Sequence, residues 1–161
     1  MKSNDINLSD QSDFFEYIKR IETYKLVGLI EDLEDLEEAS EALIELSDRN
    51  KEKMIELGEN ILTKGLGDIY LQGFTFKLIY NSDPKAAVGL VKDRISAIDP
   101  ILLRDIMDEL ATDCFQDIAK EIPVSLLRSI KERYLILDKE AKESIAEEYR
   151  RFELAYKDIL Y

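Results

Sequence analysis

The sequence contains no histidine, no tryptophan and a single cysteine, Cys114, among its 161 residues. Without histidine, the side chain that serves most often as a general base and as a metal ligand is missing. One cysteine permits neither an internal disulfide bond nor a cysteine-based zinc site. No histidine can activate Cys114, so we interpret it as a small packing residue. We therefore predict a protein that is not an enzyme and has no catalytic residues, no metal site and no cofactor.

Basic residues are also scarce, because 22 Lys and Arg stand against 35 Asp and Glu and give a formal net charge of −13. Binding to nucleic acid or to anionic lipid requires Lys and Arg that neutralise phosphates, so we predict neither partner. No apolar run approaches the length of a membrane span, and the polar start, Met1 to Asp5, does not resemble a secretory signal. Together with the lone thiol, this favours a cytoplasmic location.

Only three prolines and six glycines interrupt the chain, and 45% of its residues are hydrophobic. Between these interruptions the apolar residues recur at helical spacing, as Met54, Leu57 and Ile61 do before the glycines at 65 and 67. We predict an all-α fold of eight or nine short antiparallel helices, arranged as an irregular HEAT-like stack or an orthogonal bundle. Residues 1–161 are expected to form a single domain, with 1–10 as a flexible N-terminal segment.

Helix starts are predicted where Asp83 and Asp99 precede prolines, because Asp caps a helix and Pro fits its first turn. The first of these helices should carry apolar residues from Val88 to Ile98. A third helix should start at Pro123. The last is expected from about Lys139 and should bury Ile145, Tyr149, Phe152, Tyr156 and Ile159.

The segment 68–80 fits two patterns. Residues 74–78 alternate like a strand, whereas Tyr70, Phe74 and Leu78 stack at helical spacing from about Asp68. A lone strand has no pairing partner in a helical chain, so the helical interpretation is favoured. A helix that is apolar all round would form the buried centre of the array.

The negative charge is unevenly distributed along the chain. Residues 1–50 hold 14 acidic and five basic residues, 51–100 hold seven of each, and 101–161 hold 14 and ten. Between Leu26 and Asp48 there is no Lys or Arg, and a second acidic run has no base between Arg104 and Lys120. The candidate partner-binding residues in these two runs are Glu31, Asp32, Glu34, Asp35, Glu37, Glu38, Glu41, Asp105, Asp108, Glu109 and Asp113.

Two interpretations of these runs remain open. The carboxylates can form solvated helix faces, with some of them capping helices or lying near positive helix N-termini. Alternatively, they form a docking surface that accelerates association with a basic partner. Like charges at helical spacing repel each other, and an ordinary soluble surface intersperses Lys, as the last helix does.

A small, acidic, all-helical chain with stretches such as Leu26–Asp48 and Leu103–Ile118 resembles the immunity proteins of bacterial polymorphic-toxin and contact-dependent growth inhibition systems. The resemblance is one of type and rests on no signature motif. It implies a protein that binds one cognate toxin domain, often a basic nuclease, and blocks its active site or substrate surface. The alternative is a helical-repeat adapter or regulator that binds a protein or peptide in a concave groove.

Overall fold

The computed structural model describes the backbone of residues 8–161 and the side chains from Asp13 onward, and all regular structure in this part of the chain is helical. The eleven α-helices in it are α1 Leu8–Arg20, α2 Thr23–Asp32, α3 Leu36–Arg49, α4 Lys51–Lys64, α5 Ile69–Ser82, α6 Pro84–Val91, α7 Pro100–Thr112, α8 Val124–Ile136, α9 Lys139–Ser144, α10 Ala146–Ala155 and α11 Lys157–Leu160. Ile95–Ala97 and Asp117–Glu121 form 3-10 turns. The all-α prediction is confirmed, with more helices than the eight or nine expected.

The predicted Asp-Pro helix starts are confirmed. Asp83 accepts a hydrogen bond from the backbone N–H of Ala86 at 3.0 Å, and Asp99 accepts one from Ile101 at 2.8 Å. In both helices proline occupies the first turn, where a missing N–H costs nothing. The first helix is shorter than expected, because it ends at Val91 and the chain then enters the 3-10 turn.

The single last helix that the spacing predicts is divided into α9, α10 and α11. The breaks fall at Ile145 and Tyr156, whose backbone ψ angles of 18° and 21° leave the helical range. Both side chains are buried, and the Tyr156 hydroxyl donates a hydrogen bond to the Leu110 carbonyl at 2.7 Å. Neither break carries Gly or Pro, so the sequence pattern gives no sign of it. The predicted burial of Ile159 is wrong, since its side chain is exposed.

Segment 68–80 is helical, as favoured, and α5 begins where Asp68 accepts a hydrogen bond from the Leu71 N–H at 2.8 Å. The buried face of α5 differs from the expected one: Tyr70 is exposed and Phe74 and Leu78 are half-buried. The fully buried positions are instead Leu71, Gly73, Thr75, Phe76, Ile79 and Tyr80. In a helix with apolar residues on every side, periodicity alone does not select the face that packs.

The chain divides into two compact units, Met1–Leu57 and Gly58–Tyr161. The first seven residues of the predicted flexible segment 1–10 lie outside the described residues, and Leu8 onward belongs to α1. The prediction of one domain, and the choice between a stack and a bundle, stay predictions.

In the first unit α3 packs against both α1 and α2. Arg49, at the end of α3, donates hydrogen bonds to the carbonyls of Ile21 and Lys19 at 2.6 and 2.8 Å, and pairs with Glu45 at 2.7 Å. The guanidinium therefore satisfies carbonyls at the end of α1 that have no partner within the helix. It fixes α1 to α3.

In the second unit α7 packs against α5 on one side and α10 on another, and it also contacts α8. The aromatic rings of Tyr134 in α8 and Tyr149 in α10 stack with centroids 3.6 Å apart and an interplanar angle of 5°. Arg133 donates two hydrogen bonds to the Ile98 carbonyl, at 3.1 and 2.9 Å, and so joins α8 to the loop before α7. Helix α7 is thus packed against three other helices, and its acidic residues lie close to side chains from these neighbours.

Candidate binding surface

The first acidic run surrounds the turn between α2 and α3. We call its seven predicted residues the acidic corner: Glu31, Asp32, Glu34, Asp35, Glu37, Glu38 and Glu41. Five of them are exposed, while Glu38 and Glu41 are half-buried. Leu33, between the helices, has φ 51°, a left-handed conformation that bulky residues rarely adopt. This residue ends α2, so carboxylates from two helices flank one tight turn.

The α3 side of this surface follows from helical periodicity. The buried face of α3 consists of Ala39, Ala42, Leu43 and Leu46. The opposite face carries Glu37, Glu41, Ile44 and Asp48, at spacings of four, three and four residues, and we call these four the α3 ridge. Ile44 is 38% exposed. The α3 ridge therefore presents an apolar contact point between negatively charged carboxylates.

Helix α2 presents an aromatic residue on the same unit. Tyr24 is 67% exposed and lies seven residues before Glu31, on one face of α2. Gly28 lies between them, and a Cβ built at this glycine meets no atom within 4 Å. The face is therefore open and unobstructed, with a tyrosine at one end and a carboxylate at the other.

The carboxylates of the acidic corner are not neutralised internally. Within the described residues none of the seven makes an ion pair. The next base along the chain, Arg49, already pairs with Glu45. Partial burial, and then the neighbouring Glu37 carboxylate, raise the pKa of Glu41. Like charges on one ridge thus remain without a compensating cation.

One member of the acidic corner has a structural role. The Asp35 carboxylate accepts hydrogen bonds from the N–H groups of Glu37 and Glu38 at 2.9 and 3.1 Å, which makes it the N-cap of α3. Glu37 and Glu38 lie in the first helical turn, where negative charge interacts favourably with the helix dipole. Capping accounts for Asp35, whereas Glu31, Asp32, Glu34 and Glu41 have no such role.

The second acidic run has a different environment. Asp105 is 5% exposed; it accepts hydrogen bonds from Arg104 at 3.1 and 3.0 Å, and its Oδ1 lies 3.6 Å from the Lys77 Nζ. The Lys77 ammonium also lies 3.8 Å from Asp108 and 4.0 Å from Glu109. These carboxylates therefore share one cation supplied by α5.

A second cation reaches the same helix from α10. Arg151 Nη1 lies 2.9 Å from Asp108 Oδ1, and its Nη2 lies 3.8 Å from Glu148. Bases from α5 and α10 thus meet the acidic run of α7 from two packed helices. The sequence alone does not reveal Lys77 and Arg151 as partners of this run, because they lie outside it and only the packing brings them to it.

Gly73 makes the burial of Asp105 possible. A Cβ built at Gly73 would lie 1.9 Å from Asp105 Oδ2 and 3.0 Å from its Cγ. Real Cβ atoms do not approach other atoms this closely, so the carboxylate occupies the space that a side chain at position 73 would need. The absence of a side chain at Gly73 therefore allows the Asp105 carboxylate of α7 to pack directly against α5.

The other two acids of the second run, Glu109 in α7 and Asp113 directly after it, are also half-buried. Burial, followed by the carboxylates of Asp108, Asp113 and Asp105, raises the pKa of Glu109, and Lys77 opposes this shift. Asp113 accepts a hydrogen bond from the Gln116 amide at 2.8 Å. Asp113 also adds to the effect of burial in raising the pKa of the Tyr80 hydroxyl. This set of carboxylates is integrated into the second unit.

The described part of the chain shows neither a metal-binding cluster nor a membrane-spanning helix. Among the side chains that the structure describes, from Asp13 onward, no three of His, Cys, Asp or Glu are grouped so that they could hold a metal ion. No helix in the described chain has the length and apolar character needed to cross a membrane. Cys114 is a free, half-buried thiol.

Comparison of the chain with protein-family models, with curated protein sequences and with solved structures found no match.

Proposed function

We propose that this protein is a non-catalytic binding protein that neutralises a basic protein partner through the acidic corner and the α3 ridge, in the manner of an immunity protein. The observation that carries the proposal is the contrast between the two acidic runs. The carboxylates of α7 are compensated by Lys77, Arg104 and Arg151. Those of the acidic corner have no such cation in the described chain and are available for one from outside.

The chemistry of this surface suits a partner that itself binds phosphate groups. A nuclease must present Lys and Arg to its substrate, and a row of carboxylates can occupy the same positions. Long-range attraction would accelerate association, and apolar side chains that become buried would slow dissociation. Ile44 on the α3 ridge and Tyr24 on α2 are exposed and available for that second role.

The partner can be sought beside the gene. We expect a toxin-domain gene directly upstream of this gene, with a basic product. That product should inhibit growth when it is expressed alone, and co-expression of this protein should restore growth. A gene without such a neighbour, or a neighbour whose product does not bind, would count against the proposal.

Charge reversal tests which surface is used. In the variant Glu31→Lys, Glu34→Lys, Glu41→Lys we expect association with the basic partner to slow by about 10- to 100-fold at low salt. The difference should shrink towards 1 M salt, where the Debye length falls to about 3 Å. Asp35 and the first-turn acids of α3 are left unchanged, so that helix capping is preserved. Stopped-flow kinetics at several salt concentrations measure the effect.

A matched control carries the same change in net charge on three carboxylates outside the acidic corner. Glu59→Lys, Asp93→Lys, Glu132→Lys alters three exposed positions of the second unit. This control should slow association by less than about half an order of magnitude, roughly threefold. On a logarithmic scale, that is less than a third of the effect expected for the acidic-corner variant. Equal effects of the two triple variants would reveal a response to net charge alone and would refute the assignment to the acidic corner.

A further inference from the structure

A groove of about 600 Å³ runs along the outer side of α10 and α11 in the second unit. We call it the C-terminal groove; it is lined by Arg150, Arg151, Glu153, Leu154, Lys157 and Tyr161. Leu154 is 74% exposed and Tyr161 77% exposed. Side chains this open form a shallow trough along a surface, which suits a peptide chain better than an enclosed small molecule.

The cations of the groove stand out in a chain with a net charge of −13. Arg151 is occupied by Asp108 and Glu148. Arg150 and Lys157 make no ion pair with any described residue. Both line the groove together with Leu154, so two unpaired cations and one apolar side chain border the same trough.

Internal contacts hold one wall of the groove in place. The Tyr161 hydroxyl donates a hydrogen bond to Glu153, and the Tyr149 hydroxyl donates one to the same carboxylate at 3.3 Å. The ring of Tyr161 also packs under the Lys131 ammonium, 3.4 Å from its centroid. The one carboxylate in the groove is therefore engaged by two tyrosines. The aromatic wall is fixed before any ligand arrives, which reduces the entropy lost on binding.

From these observations we infer that the C-terminal groove is a binding site for an acidic peptide segment with apolar side chains. Carboxylates of the peptide would pair with Arg150 and Lys157, and an apolar side chain would pack on Leu154 and the Tyr161 ring. A site of this kind is what the adapter alternative requires. It lies outside the acidic corner and demands a partner of opposite charge, so it does not depend on the proposed function.

Fluorescence anisotropy with a short labelled peptide, in which glutamates alternate with leucine and phenylalanine, tests the inference. We expect saturable binding that weakens by about tenfold or more in Arg150→Glu and in Lys157→Glu. Leu154→Ser should weaken it comparably without changing the salt dependence. Arg128→Glu, an identical charge change on an exposed residue outside the groove, should leave affinity within about twofold.

Several results would overturn the inference. Equal binding by a peptide with glutamine in place of glutamate would remove the charge complementarity on which it rests. Loss of binding in Arg128→Glu as large as in Arg150→Glu would show a non-specific response to charge. Binding of phosphatidylglycerol vesicles with the same dependence on the groove variants, or self-association that these variants abolish, would assign the groove to a membrane or to a second copy. Absence of saturable peptide binding by the unmodified protein would also refute it.

Discussion

Replacement of Gly73 by alanine is the sharpest test of the packing around α7. The added Cβ would lie 1.9 Å from Asp105 Oδ2, so the carboxylate or one of the two helices must move. Asp105 is held by Arg104 at 3.0 Å and Lys77 at 3.6 Å, and displacement would weaken both contacts.

The expected magnitude follows from opposing contributions. Overpacking a core costs about 1–3 kcal/mol, and disturbing a buried ion pair adds up to about 3 kcal/mol more. Alanine is favoured over glycine within a helix by about 1 kcal/mol, which offsets part of the loss. We expect Gly73→Ala to lower the free energy of unfolding by about 2–4 kcal/mol, or the melting temperature by about 5–15 °C. Urea and thermal unfolding followed by far-ultraviolet circular dichroism measure both quantities.

Two further variants make this prediction specific. Gly89→Ala in α6 places a Cβ where no atom lies within 4 Å, so the same substitution there should stabilise the protein by up to about 1 kcal/mol. In an Asp105→Ala background the space is free, and Gly73→Ala should cost at least about 1 kcal/mol less than in the unmodified chain. A Gly73→Ala protein as stable as Gly89→Ala, or one whose cost is the same with and without Asp105, would refute the reasoning.

Two other predictions concern individual carboxylates. Asp35→Ala removes the side chain that accepts hydrogen bonds from the backbone N–H groups of Glu37 and Glu38. It should lower the free energy of unfolding by about 1 kcal/mol, and the melting temperature by about 2–4 °C. An unchanged melting temperature would show that the cap is dispensable. The pKa of Glu109 is raised by burial, so the folded state binds this proton more tightly than the unfolded state and ionisation destabilises the fold. Glu109→Gln should therefore increase stability at neutral pH. Its advantage should fade as the pH falls through the raised pKa towards 4.5, and urea midpoints that show a loss of stability at pH 7 would contradict this.

The helical fold could be predicted because its signals are local. Asp83 and Asp99 beside their prolines identify helix starts from the chemistry of the first turn alone. The breaks at Ile145 and Tyr156 could not be found in the same way. They depend on where each side chain becomes buried, and the hydrogen bond from Tyr156 reaches a carbonyl in α7, far away in sequence.

The two acidic runs look alike in the sequence, since both are stretches without bases. Their difference is tertiary: Lys77 and Arg151 arrive from helices on either side of α7, and Gly73 provides the space for Asp105. One signal was nevertheless present. Asp105 lies three residues after the buried Leu102, at the edge of the apolar face of α7, and a carboxylate at such an edge is a candidate for burial with a partner. On the α3 ridge, Ile44 interrupts the row of carboxylates.

The stacked pair of Tyr134 and Tyr149 gives the protein an optical signature. With no tryptophan in the chain, its near-ultraviolet spectrum comes almost entirely from eight tyrosines and six phenylalanines. The tyrosines of Met1–Leu57, at 17 and 24, are exposed, whereas rings held rigidly in Gly58–Tyr161 produce strong circular dichroism. Near-ultraviolet dichroism therefore follows the melting of the second unit, and comparison with the far-ultraviolet signal reveals whether the first unit melts with it. Any partner that contains tryptophan can be excited selectively, without background from this chain.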